Sequence, residues 1–224
     1  MNCLRFVITA GPTREYIDPV RFLSNPSTGK MGFAIARAAA SRGHDVTLVA
    51  GPVSLKTPKG IRRIDVVSAR EMMAAVEKAL GEGAAAHGAR RGIRPADVFI
   101  ATAAVADWRP AKCAAKKLKK GEMSGTLRLV RNPDILKTVK GVRKVGFAAE
   151  TNDVLAEARR KCLEKGLEMI VANDVTEKGS GFGTDTNRVT FVRKDGSVER
   201  LPLMSKLSVA RRIVKELEGR REPA

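Results

Sequence analysis

The residues that could do chemistry lie in four places along the chain. The first is Ser24-Asn25-Pro26-Ser27-Thr28-Gly29-Lys30-Met31-Gly32, a stretch of small and hydroxyl residues opening into a helical pattern. Backbone N–H groups at such a helix entry form an anion site. It is not a Walker A loop: Ser24 stands where its first glycine would be, and Met31 where Ser or Thr would meet magnesium. A plain helix start capped by Ser27 or Thr28 is the structural alternative. The second place is Ala103-Ala104-Val105-Ala106-Asp107-Trp108-Arg109. Small residues there would let a ligand approach the backbone. Asp107 suits a ribose hydroxyl or a magnesium ion, or simply a turn pair with Arg109.

The third place is Lys112 to Lys120, which holds five lysines and no acid before Gly121. It suits a clamp over a phosphorylated ligand, ordered by that ligand, or a solvated charged face. The fourth is Lys161 and Lys165, four apart on one helical face. They could share an anion; Glu157, four before Lys161, offers an ordinary ion pair instead. His44 and His87 have no obvious partners, so neither a Ser-His-Asp nor a Cys-His arrangement is expected.

These places need a scaffold, and the pattern supplies one. Leu4 to Ala10, Asp45 to Ala50, Arg62 to Val67, Asp97 to Thr102, Val142 to Ala149 and Glu168 to Ala172 read as strands. Helical patterns cover Lys30 to Arg42, Ala69 to Leu80 and Thr151 to Lys165. Strands alternating with helices of that length predict an α/β fold, a Rossmann-like three-layer arrangement around a mostly parallel sheet. Ligands of open α/β sheets bind beyond the carboxyl ends of the strands, where the first two candidate segments fall. Leu127 to Val130 reads as a further strand. Arg188 to Val192 and Val198 to Leu201, joined through Lys194-Asp195-Gly196-Ser197, predict an antiparallel hairpin at the C-terminal side. Gly81 to Pro95 reads as a surface insertion, and the chain from about Glu218 as frayed.

The 224 residues carry 42 Lys and Arg against 24 Asp and Glu, a formal charge of +18. Such a surface attracts polyanions and phosphorylated molecules. No apolar run is long enough to span a membrane, and the chain enters a strand at once, so neither a membrane protein nor a secreted one is expected. Three distant cysteines and two histidines argue against a disulfide framework or a zinc site.

Read in order, these segments resemble phosphopantothenate–cysteine ligase, also called phosphopantothenoylcysteine synthetase. The likeness rests on Ala10-Gly11-Pro12-Thr13-Arg14-Glu15, Ile17-Asp18-Pro19-Val20-Arg21 and the Ser24 to Gly32 stretch. It continues through Ala103 to Trp108, Lys117-Leu118-Lys119-Lys120, Asn132-Pro133-Asp134-Ile135, Gly146 to Thr151, Ala172-Asn173-Asp174-Val175 and Asn187. It spans about residues 4–215, with the 81–95 insertion and Trp108 (Tyr in bacterial members) as departures.

The resemblance implies a ligase of coenzyme A biosynthesis. It would join 4′-phosphopantothenate to cysteine through an acyl-cytidylate, with CTP as co-substrate and Mg2+, and without flavin. It implies that Asn25, Arg21 and Lys117 serve the reaction, with Arg21, Asn25, Ala103 and Ala104 on the substrate. Gly11, Ser27, Gly29, Ala101, Asp107 and Lys117 would meet the nucleotide. So would Asn132, Pro133, Asp134, Phe147, Lys161 and Lys165, with Asp107 also a candidate metal ligand through the nucleotide. A single domain over 1–224 is expected, forming a cytoplasmic homodimer whose interface includes the hairpin at about 186–202, since those strands have no helix to cover them. Bacterial members are often fused to a flavin-dependent decarboxylase. Met1 stands directly before the first strand, so that half is expected to be absent and a separate decarboxylase becomes a candidate partner. Competing readings are a Rossmann-like reductase, weakened by the missing GxGxxG, and a basic nucleic-acid-binding module, weakened by few aromatics for stacking. Only non-specific nucleic-acid binding is expected.

Overall fold

The computed structural model describes residues 3–81, 96–119, 125–150, 154–174, 179–181 and 183–219. Of the insertion expected at 81–95, Gly81 is helical, and the remainder lies outside these residues, as do Lys120, Gly121 and the helix start at 151–153.

Strand β1 (Arg5–Ala10) is buried along its whole length and sits in the middle of an eight-stranded sheet. It pairs in parallel with β4 (Asp45–Ala50) on one side and β6 (Val98–Ala101) on the other. β5 (Arg62–Asp65) closes one edge beside β4. Beyond β6 follow β9 (Arg143–Glu150) and β10 (Met169–Asp174), both parallel. The antiparallel pair β12 (Thr190–Arg193) and β13 (Val198–Arg200) completes the other edge. The Rossmann-like, mostly parallel sheet with its antiparallel extension is the architecture expected from the sequence.

Alternation along each strand sorts its side chains between two helical layers. Phe6, Ile8 and Ala10 of β1 face the layer of α1 (Lys30–Ala40) and α5 (Lys206–Gly219). Val7 faces α2 (Ala69–Gly81) and the one-turn α3 (Ile135–Thr138). α4 (Val154–Glu164) covers β10 and β12 on that second side through Ala158 and Cys162.

Helix α5 was not expected, and it overturns one premise. Phe191 of β12 packs into the α1–α5 layer, while its neighbour Val192 packs under α4. The strands at 188–201 are therefore covered on both faces, and the idea that they lack a helix is corrected. The other unexpected elements are short. β2 (Arg14–Tyr16) and β3 (Phe22–Ser24) form a hairpin, and β7 (Trp108–Pro110) pairs with β8 (Leu129–Arg131). β2 packs against β7, so the two ribbons stand side by side above the parallel strands' carboxyl ends. β11 (Thr186–Asn187) pairs with β14 (Met204–Ser205).

Candidate active site: a cavity beyond the strand ends

The chain turns at the end of β1 through Gly11, whose φ of 79° lies in the left-handed region that glycine adopts without strain. Past the strand ends, the loops after β1 and β6 remain joined. Ala104 N–H donates to Gly11 O, Thr13 N–H to Ala104 O, and Ala106 N–H to the Thr13 hydroxyl. Ala103 N–H donates to the Thr9 hydroxyl, and the Thr102 hydroxyl to Thr9 O. These bonds fix a floor of small side chains.

Helix α1 arrives on that floor at close range. A Cβ on Gly32 would fall 2.5 Å from both Ala10 Cβ and Thr102 Oγ1. The helix begins at Gly29, which has φ 78° and supplies no side-chain cap. The alternative of a cap by Ser27 or Thr28 is not realised: Ser27 Oγ lies 3.4 Å from Gly29 N and accepts its N–H, before the helix proper. The first-turn N–H groups are left for an anion.

Above the floor lies a cavity of about 420 Å³. It brings together Ser27 and Gly29 from the α1 entry and Ala101, Ala103, Ala104 and Asp107 from the end of β6. Asn132, Pro133 and Asp134 enter from the loop after β8, Phe147 from β9, and Lys161 and Lys165 from α4 and the turn after it. Four expected residues do not line it. Gly11 lies behind the wall, its N 3.3 Å from where a Gly29 Cβ would stand. Asn25 stands beside the floor, its amide donating to Ala104 O at 3.1 Å. Arg21 belongs to the β2–β3 hairpin, and exposed Lys117 to the segment docked on it.

Arg109 does not pair with Asp107; it donates to Arg131 O and Asn132 Oδ1. Asp107 is exposed, and its carboxylate has no hydrogen bond or ion pair with another described residue. Glu157 is bonded by Arg160. Lys165 pairs at 2.8 Å with Asp134. Burial works to raise the Asp134 carboxyl, but Lys165, the Lys137 amide and their charges together hold it below its ordinary range. Asn132 Nδ2 donates to Ala106 O at 2.8 Å, tying the β8 loop to the floor. The lysine stretch is held at two points: Ala114 N–H donates to Ile17 O, and Leu118 N–H to the Asp18 carboxylate.

Sequence reasoning passed over the far end of the cavity. Lys206, at the start of α5, is buried and donates to Gly181 O at 2.9 Å and Thr184 O at 2.7 Å. Burial and then the charge of Lys30 pull its ammonium below the ordinary lysine value, with Asp185 opposing. Lys30 donates to Gly183 O and pairs with Asp185, both at 2.7 Å. Asn187 Oδ1 accepts from the Ser180 hydroxyl and Gly181 N–H. Lys206, Lys30, Asn187, Asn173 and Thr9 also line the cavity. Asn173 and Asn187 stand in the segments of resemblance; Lys206 carried no signal beyond being a lysine at the head of an amphipathic stretch.

The whole described fold, from β1 through α5, is matched by the model of one family, the DNA/pantothenate metabolism flavoprotein C-terminal domain, over residues 1–220. The chain belongs to that family. It is 49% identical over 213 residues to the coenzyme A biosynthesis bifunctional protein CoaBC of Vibrio cholerae, covering 92% of this chain and 50% of that protein. The chain thus spans about half the length of the curated relatives it matches. A crystal structure of the C-terminal domain of CoaBC superposes with a TM-score of 0.77 at 41% identity, covering 96% of this chain and 94% of that one. A Cab2 variant, H337A, in complex with phosphopantothenate-cysteine shares the fold at a TM-score of 0.71 and 16% identity, over 96% of this chain and 85% of its own.

Among the described residues, no three His, Cys, Asp or Glu gather to hold a metal. Of the carboxylates that line the cavity, Asp134 is paired with Lys165, while Asp107 has no partner among the described residues, which fits Mg2+ bound mainly through nucleotide phosphates.

Proposed function

We propose that this chain is a phosphopantothenate–cysteine ligase using CTP. The observation that carries the reading is its near-complete match to the C-terminal domain of CoaBC, combined with a cavity lined by lysines, an uncapped helix entry and Asp107. In this reading the triphosphate lies along the α1 entry, and Lys161 and Lys165 take part of its charge. Asp107 would help hold a Mg2+ ion, which would supply positive charge to the phosphates.

Asn25 and Arg21 hold the carboxylate of 4′-phosphopantothenate against the α-phosphate. That carboxylate forms the new P–O bond, and pyrophosphate leaves. The cysteine amine then attacks the acyl carbon, a C–N bond forms, and cytidine monophosphate departs. Lys117 stabilises charge on the phosphate oxygens as the first step proceeds. No nucleophilic side chain is needed, because substrate and nucleotide carry the intermediate between them.

The preference for CTP is supported by Asn132-Pro133-Asp134 and Phe147, which follow the CTP-using pattern of bacterial members. Release of pyrophosphate with phosphopantothenate and cysteine, run with CTP and with ATP, tests the reading. Turnover with CTP well above ATP is expected; equal turnover defeats the preference, and no turnover defeats the function.

The same reading makes the protein a homodimer of one-domain subunits in the cytoplasm. No described helix is long and apolar enough to cross a membrane. The C-terminal hairpin, with β13 at the edge of the sheet, is one surface that suits a second copy, and the two short ribbons are another. Val20, Phe22, Trp108, Leu127 and Leu129 are all exposed on the two adjacent ribbons, Val20 to 57%. Such a patch invites a partner. A flavin-dependent decarboxylase made as a separate protein is a second candidate partner.

A further inference from the structure

Asp18 lies outside the cavity and is fully buried, yet it is the most heavily bonded carboxylate near the site. Its Oδ1 accepts the N–H groups of Val20 and Arg21, both at 2.9 Å, which closes the tip of the β2–β3 hairpin. Its Oδ2 accepts from Arg21 Nε at 3.0 Å, from the terminal guanidinium nitrogen, and from Leu118 N–H at 3.2 Å. Arg21 in turn donates to Leu118 O at 3.0 Å. A hairpin tip needs only the first pair of bonds. The second set reaches a residue 100 positions away and takes both backbone polar groups of Leu118.

We propose that Asp18 is a positioning residue that presents Lys117 to the reacting phosphate. The proposal rests on the reading that Lys117 meets the nucleotide. Leu118 N–H belongs to the Lys117–Leu118 peptide plane, so pinning it fixes that plane and leaves Lys117 its side-chain torsions. An exposed lysine on an untethered loop would have to be collected from many backbone states at each turnover. Holding the backbone in advance removes that cost from the chemical step. The same carboxylate orients Arg21, so one buried group sets two cations that serve the substrates.

The test uses Asp18→Asn. An asparagine can keep its oxygen on the Val20 and Arg21 amides, so the hairpin tip survives. Its NH2 then faces Leu118 N–H and Arg21, donor against donor, so the tether opens. Single-turnover formation of the acyl-nucleotide is measured for Asp18→Asn, Lys117→Gln and the double variant, beside CTP affinity and thermal melts. Asp18→Asn is expected to slow the step about tenfold, with a smaller effect on affinity, as befits one charge-assisted hydrogen bond. In the Lys117→Gln background it should cost at least about threefold less, because the part of the loss that acts through Lys117 is gone and only the part through Arg21 remains.

Equal losses in both backgrounds would overturn the proposal, since Asp18 would then act through Arg21 or the hairpin and not through Lys117. A normal Lys117→Gln defect with a silent Asp18→Asn removes the tether alone; a silent Lys117→Gln removes the role of the lysine itself. Amide exchange of the unaltered protein decides the case if Asp18→Asn does not fold. After correction for intrinsic rates, Leu118 is expected to exchange at least about tenfold more slowly than Cys113. Equal rates overturn the proposal.

Discussion

Lys165 meets Asp134 at 2.8 Å on one wall of the cavity, joining the turn after α4 to the loop that precedes α3. Both groups are partly exposed, so the pair adds at most about 1 kcal/mol to stability. Lys165→Gln should leave the melting temperature nearly unchanged while weakening CTP binding about tenfold at low salt. The defect should shrink as ionic strength rises, because screening already weakens the wild-type contact. Calorimetric titrations at two salt concentrations check this.

Asn25 donates to Ala104 O beside the cavity floor. Asn25→Asp removes that donor and sets a carboxylate against both the carbonyl and the substrate's own carboxylate. Acyl-nucleotide formation should fall by ~10²-fold or more, the scale of one lost electrostatic contact at a reacting centre. A rapid-quench measurement with normal CTP affinity as control checks it; near-normal rates would take Asn25 out of the reaction.

Gly32→Ala tests how closely α1 seats on β1. Helix propensity favours alanine by roughly 1 kcal/mol. The new methyl would stand 2.5 Å from Ala10 Cβ and Thr102 Oγ1, and both sit on the packed floor. Overpacking of that kind costs about 1–3 kcal/mol, so a net loss of stability is expected. Urea unfolding checks the sign, and a gain would show that the helix can lift without penalty.

Glu218 accepts from Arg42 at 2.6 Å and lies 2.8 Å from His44 Nε2. Arg42 first, then His44, hold its carboxyl below the ordinary value of 4.5, against the opposing pull of burial. A depressed carboxyl contributes stability that is fully present above its unfolded value and is lost as pH falls through the folded one. The unfolding free energy should therefore decline as pH drops below about 4.5. Glu218→Gln should lower stability by about 1 kcal/mol at pH 7 and reduce the difference between pH 7 and pH 3.5. Urea titrations at those two pH values measure both effects.

The parallel sheet was legible because buried strands are apolar runs: Phe6, Val7 and Ile8, or Val98, Phe99 and Ile100, leave little alternative between two helical layers. The β12–β13 hairpin announced itself through Lys194-Asp195-Gly196-Ser197. The hairpin β2–β3 did not, because its three-residue strands carry Arg14, Glu15 and Ser24 in no alternating pattern and are held by contacts with distant loops. Helix α5 is a different case. Val209, Ala210, Ile213, Val214 and Leu217 have helical spacing, and Ser205 accepts from Ser208 N–H at its start. That signal was present and is obscured only by the charged residues between them. At the site, Gly29, Asp107 and Lys165 could be read from type and context. The role of Lys206 could not, since its carbonyl partners come from a loop whose path no local pattern dictates.

The contact between α1 and α5 joins parts of the chain that are far apart: Arg42 and Glu218 lie 176 positions from each other. Helix α1 also carries the entry that opens the cavity. During synthesis the first helix must therefore wait, one apolar side uncovered, until the ribosome has made almost everything between them. The cavity, whose lining runs from Thr9 to Lys206 at the head of α5, is therefore complete only once α5 has been made and seated.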